Sequence, residues 1–123
     1  MSERTRMWTD EQRLAIRSVD QNLLVSAAAG SGKTSVLAER CAYLICDAEP
    51  PHRCDVNELL VVTFTRAAAA EMRQRIEANV RRRDSAGDRR LQRQLHLLES
   101  ADISTLHSFC ARVLRRHFNL VGL

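Results

Sequence analysis

The chain has 123 residues, enough for one domain or part of one, and its 45% hydrophobic and 28% charged residues describe a globular protein and exclude a disordered or fibrous one. A net charge of +4 and a pI of about 9.3 lean towards an anionic partner without establishing nucleic acid. No apolar run approaches the length of a membrane span, and Met1-Ser2-Glu3-Arg4 lacks a signal-peptide core, so a cytoplasmic protein with no membrane role is expected.

Residues 1–8 are polar up to Trp8. Thr9-Asp10-Glu11-Gln12 then has the form of a capping box, in which the Thr9 hydroxyl caps the first turn and the Gln12 side chain reaches back. It predicts a helix to about Val19, with Leu14, Ile16 and Val19 among its apolar positions. After Gln21-Asn22, the near-continuous apolar run Leu23–Ser26 reads as a strand of a parallel sheet covered on both faces.

That run opens into Ala27-Ala28-Ala29-Gly30-Ser31-Gly32-Lys33-Thr34, which fits the phosphate-loop pattern G-x-x-x-x-G-K-[ST] at every position but the first, where Ala27 replaces glycine. Small residues let backbone N–H groups turn towards phosphate oxygens, and Gly30 and Gly32 can take a positive φ without steric cost. A helix starting near Lys33 points its positive end at the same oxygens. Lys33 is then placed for the β- and γ-phosphates and Thr34 for a Mg²⁺ coordination position, and the candidate ATP contacts run from Ala27 through Ser35. Lys33 is the only lysine in a chain with eighteen arginines. A slim ammonium can thread among phosphates where a planar guanidinium would not fit.

The helix from Lys33 to about Ile45 places Val36, Leu37, Cys41, Leu44 and Ile45 on one apolar face. Residues 47–57, with Pro50-Pro51, read as a surface loop. Cys41, Cys46, Cys54 and Cys110 follow no disulfide framework and are expected to be reduced thiols. Cys46, His52 and Cys54 lack the close cysteine pair and fourth ligand that a zinc site needs.

Residues 58–64, Glu58 to Phe64, read as the second strand. Thr65 can cap a long helix from Arg66 to about Arg83. Ser85-Ala86-Gly87-Asp88 breaks it, and a further helix runs from Arg89 to Glu99. Between Arg66 and Arg93 stand nine arginines and four acidic residues, a pattern that suits either a solvated helix face or a surface turned to phosphates. Ala101–Thr105 reads as a short third strand. From Phe109, apolar residues recur at helical spacing through Phe118, with Arg112, Arg115 and Arg116 opposite.

Strand, phosphate loop, helix, strand and helix in this order predict a doubly wound α/β fold of the P-loop NTPase type, a parallel sheet flanked by helices. Three strands make a thin sheet, and the last helix has little to cover its apolar side. The pattern therefore reads as the incomplete N-terminal portion of a larger domain.

Four stretches, in order, carry a family resemblance: Trp8–Gln12, Ala27–Thr34, Val62–Arg73 and Ile103–Cys110. Together they resemble the N-terminal part of the first RecA-like motor domain in the UvrD/RecB group of superfamily 1 DNA helicases. The resemblance spans Trp8 to about Leu120. It implies that Gln12 reads the adenine edge, that Gly30–Thr34 hold ATP and Mg²⁺, and that Lys33 and Thr34 serve catalysis. It further implies that Phe64, Thr65 and Arg66 form one DNA-contacting stretch and Thr105, His107 and Ser108 another. Chemically, Phe64 can offer a stacking face and Thr65 a phosphate hydrogen bond, while a core Phe64, a purely capping Thr65 and a structural His107 stand as alternatives.

The partners so implied are single- or double-stranded DNA and a second helicase-nuclease subunit, in double-strand-break repair and recombination. In such helicases a later strand ends in an Asp-Glu pair that holds Mg²⁺ and orients water, and no strand after residue 64 ends so here. Phosphoryl transfer rests on charge placed around the γ-phosphate, so the chain by itself is expected to be nearly inactive. A different phosphate-loop ATPase or kinase would account for residues 23–46 alone, and a degenerate motor domain used as a stand-alone binding module would account for the short chain.

Overall fold

A computed structural model describes residues 8–27, 32–84 and 87–122. Helices α1 (Asp10–Arg17), α2 (Lys33–Ala42), α3 (Arg66–Arg83), α4 (Arg89–Leu97) and α5 (Leu106–Arg116) surround strands β1 (Leu60–Thr63) and β2 (Asp102–Thr105). A π-helical turn, Tyr43–Asp47, extends α2, and short 3-10 turns lie at Val56–Glu58, Leu98–Ser100 and Phe118–Val121.

The strands pair in parallel, with Leu60 beside Asp102 and Thr63 beside Thr105. The architecture is thus α/β with a small parallel sheet. Val61 and Ile103, register partners, are buried on the same side. With them the core gathers Ala38, Cys41, Ala42 and Ile45 after the glycine turn, Met72, Ile76 and Val80 from α3, and Leu91 and Leu98. Leu60 and Val62, on the opposite face of β1, are exposed.

The sheet is smaller than expected. Leu23–Ser26 is not a strand: Leu23, Leu24 and Val25 are exposed, and the segment pairs with neither β1 nor β2. Apolar composition makes a segment compatible with a sheet, but the ladder needs a neighbouring backbone, and none of the described residues supplies one. The strand expected over residues 58–64 is shorter because Asp55 caps a 3-10 turn at Val56–Glu58, with its carboxylate and Glu58 forming a reciprocal box. The last helix begins at Leu106 and not at Phe109, because the Thr105 hydroxyl accepts from the Ser108 N–H at 3.1 Å. Its apolar residues Leu106, Val113 and Leu114, and Phe118 just beyond it, are all exposed.

The arginines of residues 66–93 mostly hold the fold together. Arg73 donates to the carbonyls of Leu98, Ala101 (3.3 Å) and Ile103 (3.2 Å), joining α3 to the segment that becomes β2. Arg83 pairs with Glu39 at 2.7 Å and Asp47 at 2.9 Å. Arg90 donates to the carbonyls of Ile45 and Cys54, and Arg93 pairs with Asp55 at 3.0 Å. The buried Gln94 accepts from the Val56 N–H at 2.7 Å and donates to Asp55 at 2.8 Å. The Arg93 hydrogen bond is the main cause that holds the Asp55 carboxyl below its usual range. Of the nine arginines, only Arg66 and Arg89 have no hydrogen bond or ion pair among the described residues. A guanidinium's fork of donors suits it to carbonyl-rich helix ends, where a lysine would act as a single point of charge.

The cysteines are unpaired thiols. Burial pushes the Cys41 thiol up to about 11, and it has the same effect on Cys46, so neither is an activated nucleophile. Among the described residues no three His, Cys, Asp or Glu side chains gather as a metal site, and no helix is long and apolar enough to cross a membrane.

Candidate functional site

The first candidate surface is the start of α2. Gly32 has φ 86° and ψ 23°, a left-handed conformation that glycine takes without penalty. The first backbone hydrogen bond of α2 runs from the Val36 N–H to the Gly32 C=O at 2.9 Å, so the amides of Lys33, Thr34 and Ser35 precede it. No side chain among the described residues caps this end. A helix start with free amides and a positive dipole end is a ready anion site.

Lys33 and Thr34 are exposed there, and their side chains make no hydrogen bond or ion pair among the described residues. An exposed ammonium and hydroxyl beside unclaimed amides are the donor set that a nucleotide's phosphates and a coordinated Mg²⁺ require. Ser35 is engaged elsewhere: its Oγ accepts from Arg75 Nη1 at 2.8 Å and ties α2 to α3. Ala27 is exposed, and Ala28, Ala29, Gly30 and Ser31 lie outside the described residues.

Gln12 sits in the capping box that the sequence predicts. The Thr9 N–H donates to Gln12 Oε1 at 2.9 Å, and the Gln12 N–H donates to Thr9 Oγ1 at 3.1 Å. The carbonyl end of the side-chain amide is therefore committed, whereas Nε2 has no partner among the described residues and can donate outward. Helix α1 rests on α2 through Ala15, Ile16 and Val36, with Trp8 and Tyr43 packed at the rim.

The second candidate surface follows from the sheet register. Because Thr63 pairs with Thr105, the chain leaves both strands at the same end of the sheet, and Phe64–Arg66 emerges beside Leu106–Ser108. In open parallel sheets this is the end where ligands bind. Phe64 is 91% exposed, which removes the core alternative for its ring. The Thr65 hydroxyl accepts from the Ala68 N–H at 3.0 Å and so caps α3, yet the residue is exposed. Arg66 and His107 are exposed and have no partner among the described residues. Thr105 differs from the rest, since it is buried and its hydroxyl also donates to Ser108 Oγ at 2.9 Å. Thr105 thus orients the start of α5, and Ser108, half-buried, is bound to it.

The register that unites the two stretches, and the arginine links from α3 to α2, carry no signature in the sequence, where Arg75 looks like any other arginine of its run.

Residues 8–123 match the family described as the UvrD/REP helicase N-terminal domain. The chain is 51% identical over 125 residues to an ATP-dependent helicase/nuclease subunit of Acetivibrio thermocellus, covering 100% of this chain and 10% of that protein. It is 55% identical over 118 residues to the protein of the same name from Thermoanaerobacter sp. (strain X514), covering 94% of this chain and 9% of that protein. The chain spans about a tenth of the length of these curated relatives.

Proposed function

The chain belongs to the UvrD/REP helicase N-terminal domain family, and on that premise we propose that it is the ATP-binding N-terminal part of an ATP-dependent DNA helicase of the helicase/nuclease kind, with a P-loop, RecA-like fold. The observation that carries this reading is the uncapped start of α2, where Gly32, Lys33 and Thr34 stand with their donors unclaimed.

In this reading the amides at the start of α2 and the Lys33 ammonium hold the β- and γ-phosphates of ATP. The Thr34 hydroxyl takes one coordination position on Mg²⁺, which when bound neutralises phosphate charge. Gln12 donates from Nε2 to an acceptor on the adenine edge. The Ala27–Ser31 loop completes the phosphate cradle, and Ser35 supports it through Arg75. Phe64 stacks on a base of single-stranded DNA, Thr65 and Arg66 hold backbone phosphates, and His107 and Ser108 extend that surface. Thr105 contributes by orienting α5. The long protein so formed would work on DNA in the cytoplasm with a second helicase-nuclease subunit, coupling ATP hydrolysis to movement along one strand in repair and recombination.

Two measurements on the purified chain test this together: binding of a Mg²⁺–nucleotide and release of phosphate, with and without oligothymidine. The expected pair is binding without appreciable turnover, because the 123 residues include no strand ending in Asp-Glu to orient water. Strong DNA-stimulated phosphate release would show that carboxylates already present, Asp102 first among them, do that work. Absence of any nucleotide binding would contradict the reading itself.

A further inference from the structure

We infer that Arg40 is a positioning residue for adenine recognition, fixing the helix that carries Gln12 upon the helix that carries Lys33. The inference rests on the proposed base-reading role of Gln12. Helix α1 has eight residues, too few to persist alone in water, and it buries only Ala15 and Ile16. Its apolar contact with α2 is a small cluster with Val36, separate from the main core.

What holds it besides is Arg40. Its Nη1 donates to the carbonyl of Ala15 at 2.9 Å and of Ser18 at 2.7 Å, with that of Ile16 at 3.4 Å. These carbonyls lie at the end of α1, where a helix leaves acceptors unsatisfied and its dipole favours a cation. The Arg17 guanidinium over the Tyr43 ring, 5.7 Å from its centre, adds a second fastening.

Arg40 and Lys33 lie on the same helix, seven residues apart, close to two turns. Any slip of α1 along α2 changes the span between Gln12, at the first turn of α1, and Lys33, at the first turn of α2. A base contact and a phosphate contact on one rigid nucleotide tolerate little such change. Arg40 touches neither end of the nucleotide in this scheme and acts only by holding that span.

The test separates the base from the phosphates by titrating the chain with ATP–Mg²⁺ and, in parallel, with inorganic tripolyphosphate and Mg²⁺. Arg40→Met, which keeps the length of the side chain and removes its donors, is expected to weaken ATP about five- to tenfold, the worth of one hydrogen bond, and to leave tripolyphosphate unchanged. Gln12→Ala should do the same, and the double variant should be no weaker than either alone. Arg40→Lys, which keeps charge and donors, should restore much of the ATP affinity. Emission from Trp8, the chain's one tryptophan, should shift to the red in Arg40→Met and not in Gln12→Ala, because Trp8 packs at the α1–α2 cluster. Equal loss of both ligands in Arg40→Met and in Arg40→Lys would reduce Arg40 to a stability role and overturn the inference. So would unchanged ATP binding in Arg40→Met while Gln12→Ala loses it. If Gln12→Ala leaves ATP binding intact, the base-reading role fails at its source, a result distinct from both of the others.

Discussion

Phe64→Ala is expected to weaken binding of an oligothymidine strand by about 1–3 kcal/mol, roughly 5- to 150-fold, at every salt concentration. The ring is 91% exposed at the end of β1, so truncating it leaves no cavity, and the variant should unfold within about 0.5 kcal/mol of the parent. A stacking loss carries no counterion term, so the slope of log affinity against log salt should stay the same. Arg66→Ala should behave in the opposite way. Arg66 has no partner among the described residues, and removing one phosphate contact should flatten the slope by about 0.7 for a single strand. Fluorescence anisotropy across a salt series reads both. A folded Phe64→Ala variant that binds as tightly as the parent would remove the stacking face from the DNA surface.

Arg73→Met should destabilise the fold by about 2–3 kcal/mol while leaving the salt slope of DNA binding where it was. The guanidinium serves the carbonyls of Leu98, Ala101 and Ile103, and a methionine of similar length leaves these half-buried acceptors without their donor. Urea unfolding would show the loss as a lower midpoint at unchanged m. A stable Arg73→Met variant with a flatter salt slope would return this arginine to the phosphate-facing set. Arg66 and Arg73 lie seven residues apart on one helix, yet they are predicted to fail in different assays.

That contrast shows where the sequence is legible. Features whose cause lies within four residues read correctly. The Thr9–Gln12 capping box, the Thr65 cap of α3 and the left-handed glycine before Lys33 all stand as expected. Local hydrogen bonds and backbone sterics leave fixed spacings in a sequence. Features whose cause lies across the chain do not. Leu23–Ser26 has strand composition, but no described backbone lies beside it to form a ladder. The arginine run has the composition of a phosphate-binding face, yet Arg73, Arg83 and Arg90 reach carbonyls and carboxylates some 25 to 45 positions away. Thr105 shows the two levels together. Its match to a DNA-contacting stretch is visible in the sequence, whereas its burial beneath the start of α5 depends on the pairing of β2 with β1. The phosphate loop is legible as a pattern, and the structure adds Ser35 held by Arg75 and α1 clamped by Arg40.

The central claim is that the start of α2 holds a nucleotide's phosphates through Lys33. Titration calorimetry with a non-hydrolysable ATP analogue and Mg²⁺, on the parent chain and on Lys33→Ala, tests it directly. Lys33 is exposed and forms no ion pair among the described residues, so its removal disturbs no packing and the two proteins should unfold alike. A charge-assisted contact to phosphate contributes about 1.5–3 kcal/mol, so the variant should bind roughly 10- to 150-fold more weakly. Equal affinity in the two proteins would contradict the phosphate site and the function built upon it.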